Sequence, residues 1–233
     1  LILSKFLKKL KLLHNKLILW KADNNKQIFG SIYSNNLWGY SDNPDLSFFS
    51  GEGSDQENTR EFVAYVKDFI KQKNIQSILD VGCGDFRVGA QLCLPDIHYT
   101  GIDVVEDLIQ FNRMEFQSQT VEFRVIDAVK DDLPKAELCL IRQVLQHLSN
   151  DQIMQIIPKL RKFRYVIILE HVLGDDEPNL DKKVGDHIRV NSGLFLDQPP
   201  FSLPATVIHN QKVLFQNLRN SYFRTLLLIN QSA

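Results

Sequence analysis

The sequence predicts an α/β domain: a doubly wound, mostly parallel sheet with an antiparallel final strand, preceded by an extra N-terminal helical segment. Three observations predict it. Short apolar, β-branched runs alternate with helical patches through the middle of the chain. One of these runs, Ser77-Ile78-Leu79-Asp80-Val81, passes into Gly82-Cys83-Gly84, a turn that lets the backbone swing close around a small ligand. In the last third, residues 205–208 and 222–229 read as two closing strands, with no helix between them long enough for a parallel crossover.

Composition supports a folded domain. The chain has 233 residues, 44% hydrophobic and 24% charged, which suffices for a substantial core. A formal net charge of −1 gives no overall pull toward nucleic acid and argues against it as a partner. Cys83, Cys93 and Cys139 show neither CxxC pairing nor metal-ligand spacing, so no metal is expected, and unbridged thiols suit a cytoplasmic setting.

Residues 1–21 carry six lysines and no acid, opposite an apolar helical face that includes Phe6, Leu10, Leu13, Leu17 and Trp20. Such a helix suits the surface of an anionic membrane, or packing on the domain or on a second copy of the chain. Residues 22–53 read as a loop-like, aromatic-rich lid or linker, holding Phe29, Tyr33, Trp38, Tyr40, Phe48 and Phe49. A domain spanning residues 54–233 follows. Its first helix has a capping-box start, with Ser54 as N-cap and Glu57 behind it, and closes at Lys71, Lys73 and Asn74. The glycine turn should open a second helix.

Further strands are expected over residues 97–104, 121–126, 138–142 and 165–169, the last very apolar and hence central. Ser149-Asn150-Asp151-Gln152 starts another capped helix, which Pro158 should kink or shorten.

Open α/β sheets bind ligands at the carboxyl ends of their strands. The acids and polar residues falling there are Asp80 with Gly82 and Gly84, then Asp103, then Asp127-Ala128, then Arg142-Gln143. Asp103 lies about 20 residues past the glycines, where an acid commonly binds a ribose diol. A nicotinamide dehydrogenase would need a third glycine where Arg87 stands. An acid at the turn also sits badly beside a diphosphate and suits an ammonium group. The ligand should therefore combine nucleoside hydroxyls with an amine and carry no phosphate.

On these residues the chain resembles the class I S-adenosylmethionine-dependent methyltransferases of bacterial small-molecule type, which have a Rossmann-like sheet. Leu79-Asp80-Val81-Gly82-Cys83-Gly84 resembles their first motif. Asp103 resembles their ribose-binding acid and Asp127-Ala128 their adenine-contacting pair. Arg142-Gln143-Val144-Leu145-Gln146-His147-Leu148 resembles their segment after the fourth strand. Phe86 departs from the pattern, since many members carry a further glycine there. The resemblance implies S-adenosylmethionine as cofactor, bound by Asp80, Gly82, Gly84, Asp103, Val104, Asp127, Ala128, Arg142 and Gln143. It implies methyl transfer by in-line displacement to a small-molecule acceptor, with a sugar or glycan precursor suggested by analogy.

An oxygen acceptor gains from a general base, for which His147 and His171 at strand ends are the candidates, with Glu170 and His187 behind them. Any of these can equally be structural. Arg189 is placed to hold an anionic acceptor or to pair with Asp186. A binding module without catalysis, docked on a partner or a membrane, is the alternative function.

Overall fold

The computed structural model describes residues 22–40, 47–173, 177–189, 192–213 and 221–231; the expected basic helix of residues 1–21 lies outside them. The glycine-turn strand β1 (Ser77–Val81) runs between two parallel neighbours, β2 (His98–Asp103) and β4 (Leu138–Arg142). Outward on one side, β2 pairs with β3 (Val121–Val125); on the other, β4 pairs with β5 (Tyr165–Leu173), both in parallel. The hairpin of β6 (Thr206–Lys212) and β7 (Ser221–Ile229) completes the sheet, with β7 antiparallel to β5 and β6 on the edge.

The order is therefore β3-β2-β1-β4-β5-β7-β6. It reverses between β1 and β4, and a crevice opens where the connections diverge. This is the Rossmann-like architecture expected, including its antiparallel end.

Apolar residues cover both faces of the sheet. On one face, Phe62, Val66, Phe69 and Ile70 of α2 (Gln56–Lys73) pack over Ile78, Leu140 and Ile167. On the other, Ile153 and Ile156 of α4 (Asn150–Ile156) pack with Leu79, Ile141 and Val166. Every residue of β5 up to Val172 is buried, which explains the apolar run of its first five residues, 165–169. Ser149 caps α4 by accepting from the Gln152 N–H, and the helix passes into a 3-10 stretch, Ile157–Lys162, that contains Pro158.

Three expectations are corrected. The stretch 22–53 is not all loop: Asn25–Ser34 forms helix α1, capped by Asn24, whose side chain accepts from the Gln27 N–H. The cap of α2 is Asp55 rather than Ser54; its carboxylate leaves the helix end to take the Arg87 guanidinium at 2.6 Å, while Ser54 ends a 3-10 turn. Finally, only the 3-10 turn Gly89–Leu92 follows the glycine loop, with α3 (Glu106–Phe116) coming after β2. Phe86, at φ +64°, interrupts helical backbone just past the glycines, and Pro95 closes the interval before β2.

Candidate active site

At the carboxyl ends of β1 to β5 lies a cavity of about 570 Å³. All eleven residues singled out in the sequence line it: Asp80, Gly82, Gly84, Asp103, Val104, Asp127, Ala128, Arg142, Gln143, His147 and His171. Sheet topology thus brings together positions far apart in the chain.

The glycine turn is shaped by close approach. Gly82 has φ +71°, and a Cβ there would stand 2.4 Å from Val144 Cγ2. Gly84 has φ +56°, and its Cβ would stand 2.5 Å from Ser50 Oγ. Neither position tolerates a side chain, and both backbones form the cavity floor. Phe86 also adopts a left-handed φ of +64°, the conformation that explains the family's glycine there. Its ring is held by Tyr99, Phe116 and Phe123 at centroid distances of 5.5, 5.2 and 4.8 Å.

Two acids at the turn have separate fates. Asp85 is consumed internally: it accepts from the Ser50 N–H at 2.8 Å and from Arg87 Nε at 2.9 Å. Asp80 faces the cavity and accepts the Tyr99 hydroxyl proton. Burial pushes its carboxyl up to about 6, against the Tyr99 hydrogen bond and the Arg142 charge, which pull it down. Asp103 accepts from the Val105 N–H at 3.0 Å and the Gly84 N–H at 3.3 Å, so the end of β2 is tied to the glycine turn. Burial raises it too, to about 6. Asp127 accepts from the Val129 N–H at 3.0 Å and from Asn25 Nδ2 at 3.3 Å, and Gln152 in turn donates to Asn25 Oδ1 at 3.0 Å.

Arg142 sits at the end of β4 beneath the lid, where one guanidinium nitrogen donates to the Gly53 carbonyl. Burial lowers it to about 10, so it stays charged. Its Nε is buried without a hydrogen-bond partner among the described residues. Gln143, at φ +55°, stacks its amide over Gly53, whose Cβ would lie 2.3 Å from Gln143 Oε1.

The β4–β5 half of the cavity is lined by less charged groups. His147 Nδ1 lies 3.1 Å from the Gly185 carbonyl and Nε2 lies 3.2 Å from Gln146 Nε2. His171 Nε2 lies 2.7 Å from Ser221 Oγ. Burial pushes these imidazoles down to about 3 and about 4, so both are neutral over the physiological range. Glu170 points away from the cavity; it is fully buried and accepts the N–H groups of Val144, Leu145 and Gln146. Desolvation lifts it to about 7 despite those bonds.

Arg189 follows neither expected role. Its guanidinium donates to the carbonyls of Leu180, Gln146 and Leu148 and to Asn150 Oδ1, clamping the loop after β5 to the segment after β4.

Of the aromatics noted in residues 22–53, Phe29, Tyr33 and Trp38 face the cavity; sequence reasoning missed Asn25 beside them and the helix that carries it. The pair Asn24 and Gln27 carried the signal, since a capping side chain three residues ahead of a glutamine marks a helix start. From the loop 177–189 it named Asp186 and His187 only as secondary candidates, and both line the cavity.

A model of the methyltransferase-domain family matches residues 72–214, more than half the chain. No curated protein sequence matches it. Among solved structures, magnesium protoporphyrin IX methyltransferase (ChlM) from Synechocystis PCC 6803 with bound S-adenosylmethionine is similar at TM-score 0.58 and 13% identity, over 90% of this chain and 99% of that one. An S-adenosylmethionine-dependent methyltransferase from Clostridium acetobutylicum ATCC 824 gives TM-score 0.55 and 11% identity, over 73% and 91%. The N-terminal domain of EvdMO1, crystallised in the presence of SAH and D-fucose, gives 0.55 and 14%, over 83% and 86%. At these identities the structures speak for the fold, which agrees with what the family match says of the chemistry. The chain belongs to the methyltransferase-domain family and is an S-adenosylmethionine-dependent methyltransferase.

Proposed function

We propose that this enzyme methylates a small-molecule acceptor held in the β4–β5 half of the cavity, with the cofactor over β1, β2 and β3. The observation that carries this reading is the division of one cavity into two chemistries. Three acids at strand ends and glycine backbone line one half, and the histidines His147, His171 and His187 line the other with Trp38 and Asp186.

The residues present fit the cofactor. Gly82 and Gly84 leave a floor that a Cβ would fill. Asp103, already fixed by two backbone N–H groups, has lone pairs left to accept from ribose hydroxyls. Asp127 and Ala128, with Val104 also in the lining, would flank the adenine. Asp80 suits the ammonium of the methionyl end, and the unpartnered Arg142 Nε suits its carboxylate, with Gln143 packed beside it. When bound, the cofactor supplies a methyl group already activated by its sulfonium. The protein's own contribution is then alignment of the nucleophile, which supplies several kcal/mol or more of barrier lowering. His147 and His171 shape the acceptor wall. The cavity's size suits a sugar-sized acceptor, and the EvdMO1 structure prepared with D-fucose supports that class.

Calorimetric titration with S-adenosylmethionine and SAH tests the cofactor half. Wild type should bind both, and Asp103→Ala should lose at least about tenfold in affinity. No binding by wild type, or unchanged binding by the variant, would overturn the assignment. Product formation across a panel of sugars, read by mass spectrometry, tests the acceptor. Binding without any turnover would favour a non-catalytic module.

A further inference from the structure

We propose that His187, oriented by Asp186, is the general base that takes the acceptor's hydroxyl proton. The inference rests on the methyltransferase reading above and deepens it, since it requires an acceptor whose nucleophile carries a removable proton.

Three histidines line the cavity, and their nitrogens are differently engaged. The Gly185 carbonyl can only accept, so His147 donates from Nδ1, and its Nε2 is left to accept from the Gln146 amide. His171 engages Ser221 through Nε2. Both rings are buried, with 9% and 5% of their surface exposed. His187 differs: 67% of its side chain is exposed, and its Nδ1 lies 2.7 Å from Asp186 Oδ1. An ionised carboxylate only accepts, so the neutral tautomer that fits this contact has its proton on Nδ1 and its lone pair on Nε2. This is the arrangement in which an acid fixes the tautomer of a catalytic imidazole.

The dyad stands on a built wall. Trp38 Nε1 donates to the Asp186 carbonyl at 3.1 Å. One residue earlier, the Gly185 N–H donates to the His147 carbonyl at 3.1 Å, and the Gly185 carbonyl takes His147 Nδ1. The segment is therefore fastened to the lid and to the turn after β4. Burial acts to raise Asp186, but the opposing effects, led by the hydrogen bond from His187, hold the carboxyl below its usual range. Lys182 and His147 are the other titratable groups coupled to this acid.

In the proposed step the acceptor O–H proton passes to His187 Nε2. The oxygen's electron pair forms the new bond to the methyl carbon as the carbon–sulfur bond breaks onto sulfur. The positive charge that leaves sulfur ends on the imidazolium, beside the Asp186 carboxylate.

Long-range proton–nitrogen NMR on the full chain saturated with SAH reads the tautomer directly, with His187→Asn identifying the signals. Neutral His187 should carry its proton on Nδ1, and Asp186→Asn should shift the population toward Nε2–H. A bare Nδ1 in wild type, or a tautomer indifferent to Asp186→Asn, would overturn the proposal. For any hydroxyl acceptor that yields product, D-fucose being the first probe, His187→Asn should cut turnover roughly 10²-fold or more while SAH affinity changes less than about twofold. Turnover retained within about threefold would also overturn it. Failure of wild type to bind SAH at all would instead defeat the cofactor reading, so the two failures are distinct.

Discussion

The indole of Trp38 reaches across the cavity mouth and donates to the backbone carbonyl of Asp186 at 3.1 Å. The bond joins two segments 148 positions apart, neither of which belongs to the sheet. Trp38→Phe keeps an aromatic ring near His147, from which the indole centroid is 5.2 Å away, but removes the donor. The expected cost is roughly 0.5–1.5 kcal/mol, concentrated locally. Hydrogen exchange should show faster exchange in residues 181–189 with β1 and β4 unchanged; protection equal to wild type would show that the bond holds nothing in place.

Asp80 offers a test in pH. In the folded chain its carboxyl keeps its proton up to about pH 6, whereas the reference aspartate releases it near 3.8. Between those values the folded state binds more protons, so stability declines as pH rises through this window. Asp80→Asn avoids that loss and should stabilise the ligand-free protein at pH 8 by about 1–3 kcal/mol. The gain should shrink as pH falls below 6 and vanish below about 4. Denaturant titrations at three pH values check this, and a variant less stable at pH 8 would refute it. The same variant should bind S-adenosylmethionine more weakly, because the carboxylate facing the cavity is gone.

Phe86 holds a left-handed backbone that glycine would adopt freely. Phe86→Gly nevertheless should destabilise the protein. Relief of the backbone returns about 1–3 kcal/mol, while emptying a site among Tyr99, Phe116 and Phe123 costs more, for a net loss of roughly 2 kcal/mol. A thermal melt decides the sign.

Arg189 satisfies three carbonyls and one side-chain oxygen, which no other side chain does with one planar group. Arg189→Lys should therefore behave as a loss rather than a conservative change, at about 2–4 kcal/mol, read by urea unfolding.

Much of the fold was legible in the sequence. The apolar stretches 78–79 of β1, 138–141 of β4 and 165–169 of β5 are buried and each runs up to a polar residue, and Ser149 and Pro158 mark both limits of a short helix. The half of the cavity over β1, β2 and β3 was legible for a related reason: its acids stand at strand ends, so locating a strand locates them. The half at the ends of β4 and β5 was legible only in part. His147 and His171 stood out at strand ends, but the rest of its lining comes from the segment 22–53 and the loop 177–189, whose positions are set by single long-range contacts such as Trp38 to Asp186 and Arg189 to Leu148. No periodicity announces such contacts. Nor does sequence show which histidine is enclosed; His147 and His187 look alike until burial separates them.

The family match begins at residue 72, whereas Asn25, Phe29, Tyr33, Trp38 and Gly53 all precede it and all face the cavity. The part that the family model matches thus holds the strand ends, and the segment ahead of it furnishes much of the chamber above them. Exchanging residues 22–55 between relatives would recast the shape of that chamber while leaving Asp80, Asp103 and Asp127 where they stand.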